Sequence, residues 1–202
     1  SIQSAWASHS LHYSIVSRGV TLGEMVYEIE ETNQELIYRS FFIIHPDDIR
    51  QKDTEFVLNP KTFFPQHSKK WLKISEGEII LETQYKGNIA KIILSSPYGK
   101  KETSLSVNES IYDMEQIFFL PSLERSGQFQ NRSFSIFIPA SGMVWVGRMK
   151  KVDEDEKSIV MKYTLAGEVL YLRYEKFDPF RLLSLEAPNR GYHLVLVEEA
   201  IP

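Results

Sequence analysis

The chain has 202 residues, a net charge of −4, 43 % hydrophobic residues, 12 % aromatics and no cysteine. A mildly acidic chain does not neutralise phosphates over a broad face, which disfavours general nucleic-acid binding, and the missing cysteines remove disulfides, thiolate nucleophiles and Cys-based zinc sites. No window approaches eighteen consecutive apolar residues, so no helix is long and apolar enough to cross a membrane.

Residues 1–10 are small, polar and unpatterned and are expected to fray or to drape over the surface. From Leu11 the pattern changes. Leu11, Tyr13 and Ile15 alternate with His12, Ser14 and Val16, and after Arg18-Gly19 the residues Met25, Tyr27 and Ile29 alternate with Glu24, Glu28 and Glu30. Period-two alternation places one face of a strand on a core and the other in water. Gly23 inside the second strand signals a bulge or a close backbone approach. Strands are then predicted over 35–44, whose apolar end suggests a central position, and over 49–58. Residues 62–75 follow, with aromatic and basic residues interleaved (Phe64, His67, Lys69, Trp71, Lys73). A hairpin over 78–85 and 88–95 and a shorter strand over 101–107 complete this half.

Residues 110–123 break the pattern. Met114, Ile117 and Phe118 fall at helical spacing, Asp113 is placed to cap the start and Pro121 to end it. One short helix is therefore expected, packed on a sheet face or plugging one end of a barrel. Strands resume over 132–138, 143–152, 158–165, 168–176, 180–186 and 192–198. The sum is an all-β fold of about a dozen strands with one short helix, an antiparallel curved sheet or an open or closed β-barrel, forming a single domain over residues 11–202. Residues 99–112 are the best candidate boundary, but they are too short and too patterned for a linker.

Chemistry is sparse. There is no G-x-S-x-G elbow, phosphate loop or dinucleotide fingerprint, and no metal or cofactor is expected. His9 and His12, or His45 with Asp47 and Asp48, would make a mixed metal site, but a frayed terminus and a turn account for them more simply. Residues 153–156 lack the Gly and bidentate Glu of a calcium loop and read as a solvated hairpin tip. The aromatic-basic run could stack on single-stranded nucleic acid; the acidic balance favours an edge or half-exposed strand protected by Lys69, Lys70 and Lys73 instead. Phe41, Phe42, Trp71, Phe118, Phe119, Trp145 and Tyr171 are candidates for an apolar interior that holds a ligand. At each of these positions plain core filling is the competing account.

The segment LHYSIVSRGVTLGEMVYEIEET (residues 11–32) resembles the opening hairpin of domain-of-unknown-function family 3108, a group of bacterial exported proteins. Tyr112-Asp113 through Leu120-Pro121 is similar to that family's short stretch in which an Asp precedes an aromatic helix. LYLRYEKFDPFRLLSLEAPNRGYHLVLVE (residues 170–198) resembles its closing strands, with Leu182-Leu183 where the family pattern has a Pro. The resemblance implies an antiparallel β domain of the cell envelope, periplasmic or outer-membrane-associated after signal removal, similar in style to half-barrels that carry lipids or lipoproteins. It implies no catalytic residues. The leading expectation is a non-catalytic envelope protein that binds an apolar ligand, such as a lipid or lipoprotein acyl chain, in a curved-sheet cavity. The alternatives are a structural or protein-interaction module of the envelope, using an exposed strand edge or apolar patch, and a hydrolase with a catalytic group in a cleft.

Overall fold

The computed structural model describes residues 7–47, 49–125 and 129–200. The first half is a meander of β1 (Ala7–Ser17), β2 (Val20–Glu31), β3 (Leu36–Ile44), β4 (Ile49–Leu58), β5 (Pro65–Ile74), β6 (Gly77–Lys86), β7 (Ile89–Ser96) and β8 (Gly99–Ser106). A bridge β9 (Tyr112–Asp113), a 3-10 turn (Gln116–Phe119) and α1 (Leu120–Glu124) follow. A second meander then runs through β10 (Arg132–Ile138), β11 (Met143–Glu154), β12 (Ser158–Leu165), β13 (Glu168–Glu175), β14 (Leu182–Ala187) and β15 (Tyr192–Ala200). The strands form one fifteen-stranded sheet in the order β8-β7-β6-β5-β4-β3-β2-β1-β15-β14-β13-β12-β11-β10-β9. Only β9 and β10 are parallel; the remaining pairs are antiparallel. β1 begins at Ala7, so residues 7–10, expected to fray or drape, are instead paired with β2; residues 1–6 lie outside the described residues.

Local chemistry explains the hairpins. Arg18-Gly19 (φ 49° and 77°) and Ala166-Gly167 (φ 50° and 81°) put two successive residues at positive φ. That is the twist that a two-residue hairpin loop between right-twisted strands requires. Gly23 serves a close approach: a Cβ there would sit 2.1 Å from the Ile43 carbonyl oxygen. The β1–β2 register also shifts opposite it, between Ile15 and Val16.

The inner face carries Leu11, Tyr13, Met25, Tyr27, Ile29, Tyr38, Phe56 and Leu58 from one meander and Met161, Tyr163, Leu172 and Tyr174 from the other, all buried. The helical segment fills the space they enclose, with Ile117, Phe119 and Leu120 each no more than 1 % exposed. Two expectations are corrected here. Asp113 lies in β9 and does not cap the helix, whose 3-10 start at Glu115 has no side-chain cap. Pro121 occupies the first turn of α1, where its missing N–H costs nothing, and begins that helix where a stop was expected.

The sheet does not close into a barrel; its ends overlap. β10 presents Phe134 and Ile136 to the main core. Its other face presents Phe137 to Ala90, Ile92, Val107 and Ile111. Tyr85 meets Phe137 edge-on at 6.0 Å between ring centroids. The flap β6–β8 therefore covers the far face of β9 and β10, in a spiral with a plugged centre.

Candidate functional site

At the helical end of the interior the packing leaves a cavity of about 150 Å³. Its apolar wall comes from Leu11 of β1, Ile29 of β2, Leu36 and Tyr38 of β3, and Phe119 and Leu123 of the helical segment. Pro60 and Phe63 of the β4–β5 turn and Pro179 of the β13–β14 loop complete it. Glu31, Ser122, Arg125 and Arg181 supply the polar part of the lining. Strand alternation points Leu11, Ile29, Leu36 and Tyr38 inward together, while the plug brings Phe119 against Tyr38 at 5.1 Å and Tyr27 at 4.7 Å.

Non-glycine residues at positive φ gather around this end: Phe63 (φ 61°), Arg125 (φ 47°) and Phe180 (φ 57°). Such conformations cost energy and persist only where neighbours fix them. Phe63 donates its N–H to the Asn59 carbonyl at 2.8 Å, and its own carbonyl accepts from Gln116 Nε2 at 2.6 Å. The Phe180 carbonyl accepts from the Ser122 hydroxyl at 2.7 Å. Arg125 ends α1 in the left-handed conformation, its N–H bonded to the Pro121 carbonyl.

The charged groups differ in how they are occupied. Arg181 is committed to Glu175, with Nε 3.1 Å from each carboxylate oxygen and Nη2 2.5 Å from Oε1. Arg125 and Glu31 have no ion-pair partner among the described residues. Tyr38 is 3 % exposed, and its hydroxyl makes no hydrogen bond among the described residues. Burial holds that phenol well above the ordinary tyrosine range, Glu31 and Tyr13 push it the same way, and Arg125 opposes them.

A second polar concentration braces the plug. Lys70 Nζ donates to Glu115 Oε1 at 3.3 Å and lies 3.6 Å from Asp113 Oδ1. Tyr85 donates its hydroxyl to Asp113 Oδ2 at 3.0 Å, and the Asp113 N–H donates to Gln116 Oε1 at 2.9 Å. Gln116 is the residue that holds the Phe63 carbonyl, so this network reaches the pocket wall. Burial pulls the Lys70 ammonium down, but Asp113 and Glu115 outweigh it and hold it above the usual lysine range. Asp53, which accepts from Ser40 Oγ at 2.8 Å, is pushed up to about 6 by burial and then by Glu115, against the Ser40 hydrogen bond and Lys70. None of Asp53, Asp113 and Glu115 lines the pocket, so the proton holder and the cavity do not coincide, and the hydrolase reading gains nothing from them.

Of the aromatic candidates, Phe119 alone lines the cavity. Phe42 and Phe118 are half-buried against the main core, Phe118 edge-on to Tyr163. Phe41 and Trp71 lie on the outer face, Phe41 beneath the Arg50 guanidinium at 3.7 Å and Trp71 beside Lys52 and Lys69. Tyr171 shares its face of β13 with Arg173, opposite buried Leu172, and Trp145 is 38 % exposed. These four are therefore not interior residues. Of the two alternatives for β5, the edge strand is ruled out, since β5 lies between β4 and β6 with Lys70 turned inward, while its residues are for the most part half-exposed. Sequence reasoning overlooked Tyr38, Leu36 and Arg125. Tyr38 belongs to the visible alternation of β3, whereas the left-handed backbone at Arg125 has no sequence signature, since glycine is its usual occupant.

Neither a scan against protein-family models nor a search of curated proteins returns a match, and the functional reading rests on the chain's own geometry.

Proposed function

We propose that the chain is a non-catalytic binding protein that takes a small, largely apolar ligand in the pocket beside α1. The observation that carries this is a cavity of mixed apolar and polar lining at one end of the core, part of its wall held at positive φ. A volume of about 150 Å³ matches the scale of an apolar cavity that takes up benzene, so the occupant is a ring or the end of an acyl chain. A complete lipid is too large for it. The envelope location implied by the family resemblance belongs to the same proposal, and fractionation of the native host checks it. Titration with benzyl alcohol, followed by NMR shifts of the Leu36 and Leu123 methyls, tests the pocket. Saturable shifts are expected, abolished in Leu123→Trp, whose indole fills the cavity, with the melting temperature retained. Shifts that persist unchanged in that variant would place the probe elsewhere.

A second reading rests on β11. Its pairing with β12 starts at Arg148, so Met143–Gly147 keep an unpaired edge. Met143, Val144, Trp145 and Val146 there are 38–51 % exposed. The free edge of β8, by contrast, carries Lys100, Lys101 and Glu102, charges that discourage edge-to-edge pairing. Antiparallel pairing of Met143–Gly147 with a second copy sets apolar residues against apolar ones with no like charges opposed. A concentration-dependent dimer by light scattering, lost in Val144→Lys, is the expected result; a monomer at all concentrations removes this reading.

A further inference from the structure

The cavity's charged rim narrows what it takes. Arg181 is neutralised by a forked contact with Glu175, which leaves Arg125 as the cation of the lining without a partner among the described residues. Its backbone is fixed by the helix-ending hydrogen bond to Pro121, so the side chain starts from a defined point at the mouth. A guanidinium with free N–H donors matches a carboxylate in charge and in planar fork geometry. Tyr38 lines the same cavity, and its hydroxyl makes no hydrogen bond among the described residues yet is not one of the sealed, partnerless polar atoms, so it is open to a ligand oxygen. A ligand oxygen can replace water as the acceptor of that hydroxyl.

Glu31 sets the limit. It lines the same cavity and also lacks an ion-pair partner, so a group with two negative charges meets one cation and one anion. A phosphate monoester, with about −1.5 to −2 charges at neutral pH, is disfavoured there relative to a single carboxylate.

We propose that the pocket binds a small monocarboxylate, with its ring or short chain against Phe119 and Leu36 and its carboxylate held by Arg125 and the Tyr38 hydroxyl. This rests on the pocket being a ligand site, as argued above. Burial keeps the Tyr38 phenol protonated throughout the physiological range, so it stays a hydrogen-bond donor.

The test compares benzoate, phenyl phosphate and benzyl alcohol by NMR titration of the full chain and of Arg125→Gln. Benzoate is expected to bind about tenfold more tightly than benzyl alcohol, a difference of the size that charge-assisted hydrogen bonds supply, and phenyl phosphate more weakly than benzoate. Arg125→Gln removes that advantage and leaves benzyl alcohol unchanged; Tyr38→Phe weakens benzoate alone by several-fold. Because Arg125 is exposed, its substitution leaves the core packing intact. Equal binding of benzoate and benzyl alcohol, or benzoate binding indifferent to Arg125→Gln, overturns the carboxylate assignment while the pocket stands. Absence of binding by all three probes at millimolar concentration overturns the pocket reading as well. Hexanoate against palmitate separates a small free acid from a fatty acid: palmitate binding far more tightly than hexanoate overturns the size assignment.

Discussion

Asp53 shows how one residue can escape a pattern reading. The β3–β4 register slips between Ser40 and Phe41, and Asp53 is the residue left over, with Lys52 opposite Phe41 and Thr54 opposite Ser40. The bulge turns a carboxylate that alternation would place in water toward Ser40, Lys70 and Glu115. Its ionised form is disfavoured in the fold, so its folded pKa of about 6 exceeds the unfolded value of roughly 4. Its contribution to stability is therefore complete below the unfolded value and is lost as pH rises through about 6. Asp53→Asn keeps an oxygen acceptor for Ser40 and removes the titration. Urea denaturation is expected to show the variant more stable than the parent by about 1–3 kcal/mol at pH 7.5 and nearly equal to it at pH 4. Parallel pH profiles for the two proteins would discard this account. Lys70 was legible in part: parity separates it from Lys69 and Trp71, but nothing in the sequence announces carboxylates waiting on the inner side.

At the scale of elements, the strands were readable because each hairpin carries its own punctuation. The predicted spans 49–58, 132–138 and 158–165 coincide with β4, β10 and β12. The plug was located but misphased. Its first turn is 3-10, three residues per turn, so the buried pairs are Gln116 with Phe119 and Ile117 with Leu120. A 3.6-residue reading selects Met114, Ile117 and Phe118, of which Ile117 is buried and Met114 and Phe118 are half-buried. Phe119→Ala is expected to cost about 3–5 kcal/mol. Phe118→Ala, with part of its ring already in water, should cost roughly half as much. Chemical denaturation of both variants checks the ordering, and the reverse order would refute the assigned phase. The two-residue β9 was not legible at all, because its pairing with β10 is parallel and comes from a distant segment.

For the whole molecule, alternation and turn spacing sufficed for the all-β class and the curved antiparallel sheet. They did not reveal that its ends overlap. The overlap depends on contacts such as Phe137 with Ala90 and Ile92, which join segments remote in sequence and leave no periodic trace. The pocket has the same origin, since its wall combines β1–β3, the plug and two loops, one from each meander. Phe137→Ala is expected to unfasten the flap: hydrogen exchange should rise across β6–β8 while the amides of β1, β2 and β15 stay protected. Uniform loss of protection would mean that flap and core open as one unit.

The pairing of β1 with β15 has a further consequence. The first and last described strands are neighbours at the middle of the sheet, and the two free edges come from the middle of the chain and from the plug segment. Each meander is built from adjacent hairpins of short sequence separation. The β1–β15 seam is the longest-range pairing, and making the sheet continuous waits upon it. Since β8 and β9 are not paired and the meanders join through β1 and β15, a cut near residue 109 severs no strand pairing between the two meanders. Fragments 1–108 and 109–202 produced together should find each other across the seam. Circular permutants opened at residue 109, with the old ends linked, should form the hardest step of assembly locally and refold faster than the parent.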